Sequence, residues 1–181
     1  MKKLITIIGI TIFLSGIARA ADIRVELRAN YFAPTENAFR DIYGGGIMYG
    51  GELNIGIWKN LLLWFKGSHF SKKGELTFTR EETKLRIVPL GGGIAYRIST
   101  RRASFYTGFG LNYYHYKESN PIGEVSKGGL GYVGRAGSYV KVTKGLLIDF
   151  FADYSYCKIK PADYEVNIGG LGLGIGIVYE F

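Results

Sequence analysis

Gly170–Phe181 reads GLGLGIGIVYEF. Leu171, Leu173, Ile175, Ile177, Tyr179 and Phe181 take every second position, and Gly170, Gly172, Gly174, Gly176, Val178 and Glu180 stand between them. A period of two is a strand pattern, because successive side chains leave a strand on opposite faces. One face is wholly apolar and ends in two aromatics; the other is nearly bare. A membrane-crossing strand needs about 9–11 residues with alternating faces and an aromatic girdle. This stretch meets that description, so the rest of the chain should supply partner strands.

The other end reads as an export leader. Lys2 and Lys3 precede an apolar run from Leu4 to Ile17, and Ala18-Arg19-Ala20 offers an A-x-A cleavage site. The run is too short for the ~20 residues of a spanning helix. Residues 1–20 are therefore expected to be a signal peptide, and 21–181 one β-barrel domain. No Cys follows the apolar run, so a lipoprotein signal is not expected. Loss of Lys2, Lys3 and Arg19 leaves 20 of the 23 basic residues against 15 acidic ones, a net charge of +5. The bases are scattered, which argues against nucleic acid and fits an anionic lipid surface only weakly. The single cysteine, Cys157, cannot form an internal disulfide. Neither a C-x-x-C pair nor a His cluster is present, so no metal and no cofactor is expected.

Eight alternating segments follow the leader. They begin near Ile23, Ile47, Leu61, Leu85, Ala103, Gly129, Leu146 and Gly170. Long connections (35–46, 71–82, 118–128 and 159–167) alternate with short ones at Lys59-Asn60, Ser99–Arg102 and Thr143–Gly145. An antiparallel barrel gathers alternate connections at opposite ends, so all long loops share one end. Pro34, Pro121 and Pro161 fall in the long set, while Pro89 lies inside the fourth segment. Proline cannot donate to a ladder, so a bulge or a partly paired stretch is expected there. The pattern predicts an all-β, eight-stranded antiparallel up-and-down transmembrane barrel.

The phase of each segment says which face meets lipid. The apolar faces carry no Asp, Glu, Lys or Arg. The opposite faces carry Arg24, Glu26, Arg28, Glu52, Lys66, Arg97, Arg135, Asp149, Asp153 and Glu180. A charge on the lipid face near the midplane costs about 2–4 kcal/mol, so these ten are expected to point inward. Buried charges must pair, and eight strands leave an interior just wide enough for side chains. A salt-bridged, plugged lumen is therefore expected, with a small gated pore as the alternative. Gly172, Gly174 and Gly176 should leave room for Arg and Tyr side chains from other strands. Tyr31, Tyr113, Tyr132 and Tyr156 should form one interfacial belt, and Trp58, Tyr96, Tyr179 and Phe181 the other.

The segments IVPLGGGIAYRI (87–98), FYTGFGLNYYHY (105–116) and GLGIGIVYEF (172–181) together resemble the eight-stranded outer-membrane β-barrel domain family, small barrels of Gram-negative bacteria. Phe181, with Tyr179 and Ile177 before it, resembles the C-terminal signature read by the barrel assembly machinery. The resemblance implies residence in the outer membrane and contact with its lipids and lipopolysaccharide. It implies contact with the assembly machinery during biogenesis, and a monomer. It fixes no single activity: members include structural proteins, adhesins, conduits and a few lipid-modifying enzymes. No peptidoglycan-binding domain is expected after the barrel. His69-Phe70-Ser71, with Glu82 beyond, is similar to the His-Ser-Glu arrangement of the lipid A deacylases, although the motif lies earlier in the chain and lacks its flanking residues. Non-catalytic surface interaction through four outer loops is the leading expectation.

Overall fold

Period-two alternation does become strands. The computed structural model describes residues 22–75, 82–121, 123–160 and 165–181. The expected leader at 1–20 lies outside the described residues, as do Pro161 and parts of three long loops. Seven strands follow in order: β1 Ile23–Pro34, β2 Gly46–Trp58, β3 Leu61–Glu75, β4 Glu82–Ser99, β5 Ala103–Asn120, β6 Gly123–Thr143 and β7 Leu146–Tyr156. A two-residue hairpin, β8 Lys158–Ile159 and β9 Val166–Asn167, precedes the last barrel strand, β10 Gly170–Glu180. Each barrel strand pairs antiparallel with its neighbour, and β1 closes on β10.

The register fixes the barrel's shape. From Ile23, the rungs run through Ile55, Leu63, Ile94, Phe109, Gly134, Tyr154 and Leu171 and return to β1 at Ala33, ten residues on. Eight strands with that stagger tilt by about 40°, so each residue climbs the axis by about 2.5 Å. Closure leaves no unpaired edge, as hydrocarbon demands.

The outward face is apolar over the middle of the barrel. Leu27, Phe109 and Leu130 are each about two-thirds exposed: 71, 66 and 66%. From Phe105 to Tyr113 on β5 the outward residues are Phe105, Thr107, Phe109, Leu111 and Tyr113, a band of about 20 Å. All eight expected belt residues lie on the exposed face.

Beyond the outer belt the polarity reverses. The inward residues there are Phe70, Leu85, Ile87, Tyr114 and Tyr116, all buried. The outward ones are Ser71, Lys73, Lys84, Arg86 and Lys117. So 71–82 and 118–128 are not mainly loop. β3 and β4 stay paired out to Glu75 and Glu82, and β5 and β6 to Asn120 and Gly123. The charges suggest loop in sequence, but alternation persists with its polarity exchanged, because water rather than lipid surrounds this part of the wall.

The reversed section holds an apolar cap. The short helix α1, Asn37–Tyr43, lies within the first long connection. Phe39, Ile42 and Tyr43 form its inward stripe at helical spacing, and Gly44 ends it with φ 64°. Ile159 from β8 and Ile168 after β9 join Phe32, Phe70, Leu85, Ile87 and Tyr114 in the same cluster. Tyr43 Oη lies 3.2 Å from Thr83 Oγ1, which donates to Glu118 at 3.2 Å. These contacts pin the helix to the wall.

Pro89 produces a gap, not a bulge. The β3–β4 register is the same on both sides, with Gly67 opposite Leu90 and Phe70 opposite Ile87, but the two rungs between are unpaired. Its other neighbour stays in register, with Pro89 opposite Tyr114. Real register shifts occur only near the turns, at Gly56/Trp58 and Lys141/Thr143 among the described residues.

An Arg on the apolar band should be costly. We expect Phe109→Arg to lose about 2–4 kcal/mol, and Phe109→Leu much less, in denaturant unfolding of the barrel from lipid vesicles.

Candidate functional site

Inward positions of the strands fill the lumen, and their side chains are the chemistry this fold has to offer. At the centre, Glu52 on β2 accepts from two guanidiniums. Arg135 Nη1 on β6 sits 2.6 Å from Glu52 Oε1, and Arg28 Nη1 on β1 bonds to Glu52 Oε2. Asn54 Nδ2 donates to Glu52 Oε1 at 2.8 Å. Arg28 also reaches Glu26 at 3.1 Å and Asp153 at 3.6 Å. Lys66 Nζ donates to Asp153 Oδ2 at 2.7 Å. On the far wall Arg135 Nη2 donates to Tyr106 Oη at 3.2 Å, and Tyr106 donates to Asp149 Oδ2 at 2.7 Å. Three bases and four acids thus interlock across the bore.

Aromatic rings pack around this cluster. Trp64 is fully buried and lies 5.1 Å from the Arg135 guanidinium and 5.5 Å from Lys66 Nζ. Phe151 lies 3.6 Å beneath the Arg28 guanidinium, a close cation–π contact. Space for the indole comes from glycines on the two neighbouring strands, β4 and β5. A Cβ at Gly110 would stand 2.5 Å from the Trp64 ring, and one at Gly93, 2.7 Å. On β10 the bare positions admit other groups than expected. Glu26 lies over Gly176, Phe151 over Gly174, and Asn30 over both Gly172 and Gly174. Expected Arg and Tyr side chains are not the nearest occupants: Arg28 is the register partner of Gly176, yet the Glu26 side chain, from the rung beside Val178, lies over it.

The ten inward charges divide into two groups. Arg24, Arg97 and Glu180 lie near the opposite end, around Asp22. Arg24 Nε is 3.1 Å from Asp22 Oδ1 and its Nη2 2.5 Å from Glu180 Oε2, and Arg97 pairs with Asp22 Oδ2. Tyr139, fully buried, separates the groups, stacked 4.7 Å from Tyr106 with Arg24 at 4.8 Å. Sequence reasoning missed Asp22, Trp64, Tyr106 and Tyr139 as members. Their parity carried the signal: Asp22 shares its phase with Arg24, and Trp64 with Lys66.

Above the centre, towards the cap, a cavity of about 40 Å³ remains, bounded by Lys66, Ser68, Asn112, Tyr114, Asp153 and Ser155 among others. That is room for a water or two.

The hydrolase candidates do not assemble. His69 faces outward with its ring 5.4 Å from Tyr49. Ser71 donates its hydroxyl to Leu85 O at 3.2 Å. Glu82 pairs with Lys73 at 2.7 Å. Ser71 stands opposite Arg86, four residues from Glu82 on β4, so about 13 Å of strand separates them. No nucleophile–base–orienter chain of the kind a hydrolase needs is present in these three residues. Among the described residues no group of His, Cys, Asp and Glu could hold a metal ion.

At the chain's end, Tyr179 and Phe181 meet edge to face at 4.8 Å on the outer surface, and Phe181 N donates to Ile23 O at 3.0 Å. Ile177 lies on the same exposed face.

No protein-family model matches the sequence, and no curated protein does. Solved structures do. Neisserial surface protein A superposes with a TM-score of 0.66 at 15% identity, over 90% of this chain and 99% of that one. The N-terminal β-barrel domain of Pseudomonas aeruginosa OprF follows with a TM-score of 0.56 at 15% identity, over 89% and 99%. A major outer membrane protein from Thermus thermophilus gives 0.53 at 13%, over 90% and 100%. At such identities the likeness establishes the fold: the eight-stranded barrel of outer-membrane proteins.

Glu52 is the keystone of the central cluster. Glu52→Gln should cost about 3–5 kcal/mol, because two buried guanidiniums lose their counter-charge. In a double-mutant cycle with Arg135→Met the losses should be clearly less than additive, read by equilibrium unfolding in micelles.

Proposed function

We propose that this chain is an integral outer-membrane barrel without catalysis, whose lumen is plugged and whose work is done by its outer surface. The observation that carries this is the polarity of the wall. Its membrane band is apolar outside and charged inside, and the charges are locked to one another across the bore. A bore crossed by Arg28, Glu52 and Arg135, with rings packed on both sides, supports a plugged lumen over an open one. The passive conduit thus becomes the weaker reading.

Several expectations join this proposal. A leader at 1–20 would export the chain, leaving 21–181 as one barrel domain. Ile177, Tyr179 and Phe181 on the exposed face would suit them to the assembly machinery. The two aromatic belts would anchor the barrel at the headgroups. Outer-membrane lipids and lipopolysaccharide would surround it, and a monomer suffices for closure. The outer face would be formed by α1, the two long hairpins and β8–β9.

The refolded barrel should run faster on a gel before boiling than after, and should be silent in a planar bilayer. Steady single-channel steps that change on neutralising Arg135 or Asp153 would make it a channel instead. Loss of a lipid deacylase activity in His69→Ala would make it an enzyme.

A further inference from the structure

We propose that the outward faces of β3, β4 and β5, just above the outer aromatic belt, form a binding site for the phosphate of an outer-leaflet lipid headgroup, with Lys84 and Arg86 as its principal contacts. This rests on the outer-membrane reading above and names one lipid contact within it.

The first observation is a pair of rungs. Lys73 stands directly opposite Lys84, and Arg86 directly opposite Lys117. Like charges directly opposed across a sheet are destabilising, and here two such pairs are adjacent. Lys73 finds Glu82 at 2.7 Å, and Lys117 finds Glu124 at 2.8 Å. Among the described residues, Lys84 and Arg86 have no ion-pair partner. The patch has more cation than its own acids answer.

A second, independent observation is shape. Lys84, Arg86, Lys117, Ser119 and Glu124 line an open cleft of about 190 Å³, ample for a phosphate group. Arg offers a planar fork and Lys a point charge, a combination suited to phosphate oxygens. Glu124 lies at the rim, so an incoming phosphate would take over part of the Lys117 pairing.

Position selects the lipid as the source. These side chains continue the lipid-facing row Leu90–Val88–Arg86–Lys84 on β4 and Leu111–Tyr113–His115–Lys117 on β5. Arg86 and Lys117 lie four residues beyond Leu90 and Tyr113, about 10 Å higher along the axis. From there the long Lys and Arg side chains reach back down toward the polar layer that begins at the aromatic belt. A soluble anion would need no such alignment with the apolar band.

The test uses the barrel from Ala21 in mixed micelles, with bound lipid counted by native mass spectrometry. Diphosphoryl lipid A should be retained, and its dephosphorylated form should not. Lys84→Gln with Arg86→Gln should weaken retention at least tenfold. In micelles without phosphorylated lipid, the same variant should melt at a higher temperature than the parent, because the opposed cations are relieved. Equal retention by parent and variant would overturn the site, as would equal retention of both lipids. Displacement by millimolar inorganic phosphate would assign it to a soluble anion and likewise overturn it. Heat-modifiable mobility reports folding for every variant. A parent that fails to show it sinks the outer-membrane reading, whereas a folded parent with no phosphate preference sinks only this site.

Discussion

The seam between β1 and β10 is the constraint on which the structure depends. Within hydrocarbon every backbone N–H and C=O must be paired inside the protein, so a sheet of eight strands is viable there only if its first strand meets its last. The register Arg24–Glu180 through Pro34–Gly170 accomplishes that along the whole of β10. The bare inner face of β10 follows from it. Closing the wall brings Glu26, Asn30 and Phe151 over Gly172, Gly174 and Gly176, where a Cβ would collide with them. Glycine is present because the interior of the narrow cylinder is already full.

Closure then dictates the chemistry of the lumen. Inward side chains have left water almost completely, and the ones chosen are charged. A buried charge is tolerable only with partners. The chain supplies them from five strands, with Glu52 at the junction and Trp64, Tyr106 and Phe151 packed against the cations. Such a cluster gains little net stability over an apolar core of the same volume. What it contributes is a single arrangement: Glu52, Asp149 and Asp153 are matched to named donors on other strands, so a slipped register would strand several charges at once.

The wall changes its polarity once along its height. Within the apolar band the charges are inside; beyond the outer belt Leu85, Ile87 and Phe70 turn inward and Lys84 and Arg86 turn outward. The same strands run through both regimes without a break in alternation. The changeover marks where lipid gives way to water, and it explains why a cap built on α1 and β8–β9 has an apolar surface to sit on.

Much of this was legible in the sequence. Alternation has a period fixed by strand geometry, so strand number, parity and the inward set of ten charges could be read from residue types alone. So could the exposed face on which the eight aromatics lie. Asp22 and Trp64 were equally legible by parity and were passed over. What needed the tertiary structure was everything set by register. The stagger of ten residues decides that Glu52 meets both Arg28 and Arg135 and that the charges divide around Tyr139. The same registers keep His69, Ser71 and Glu82 apart although they are near in sequence, and bring Lys84 and Arg86 beside Lys73 and Lys117. Parity is a local property of each strand; which inward residues touch depends on how eight strands are offset when the sheet closes, and no single strand carries that information.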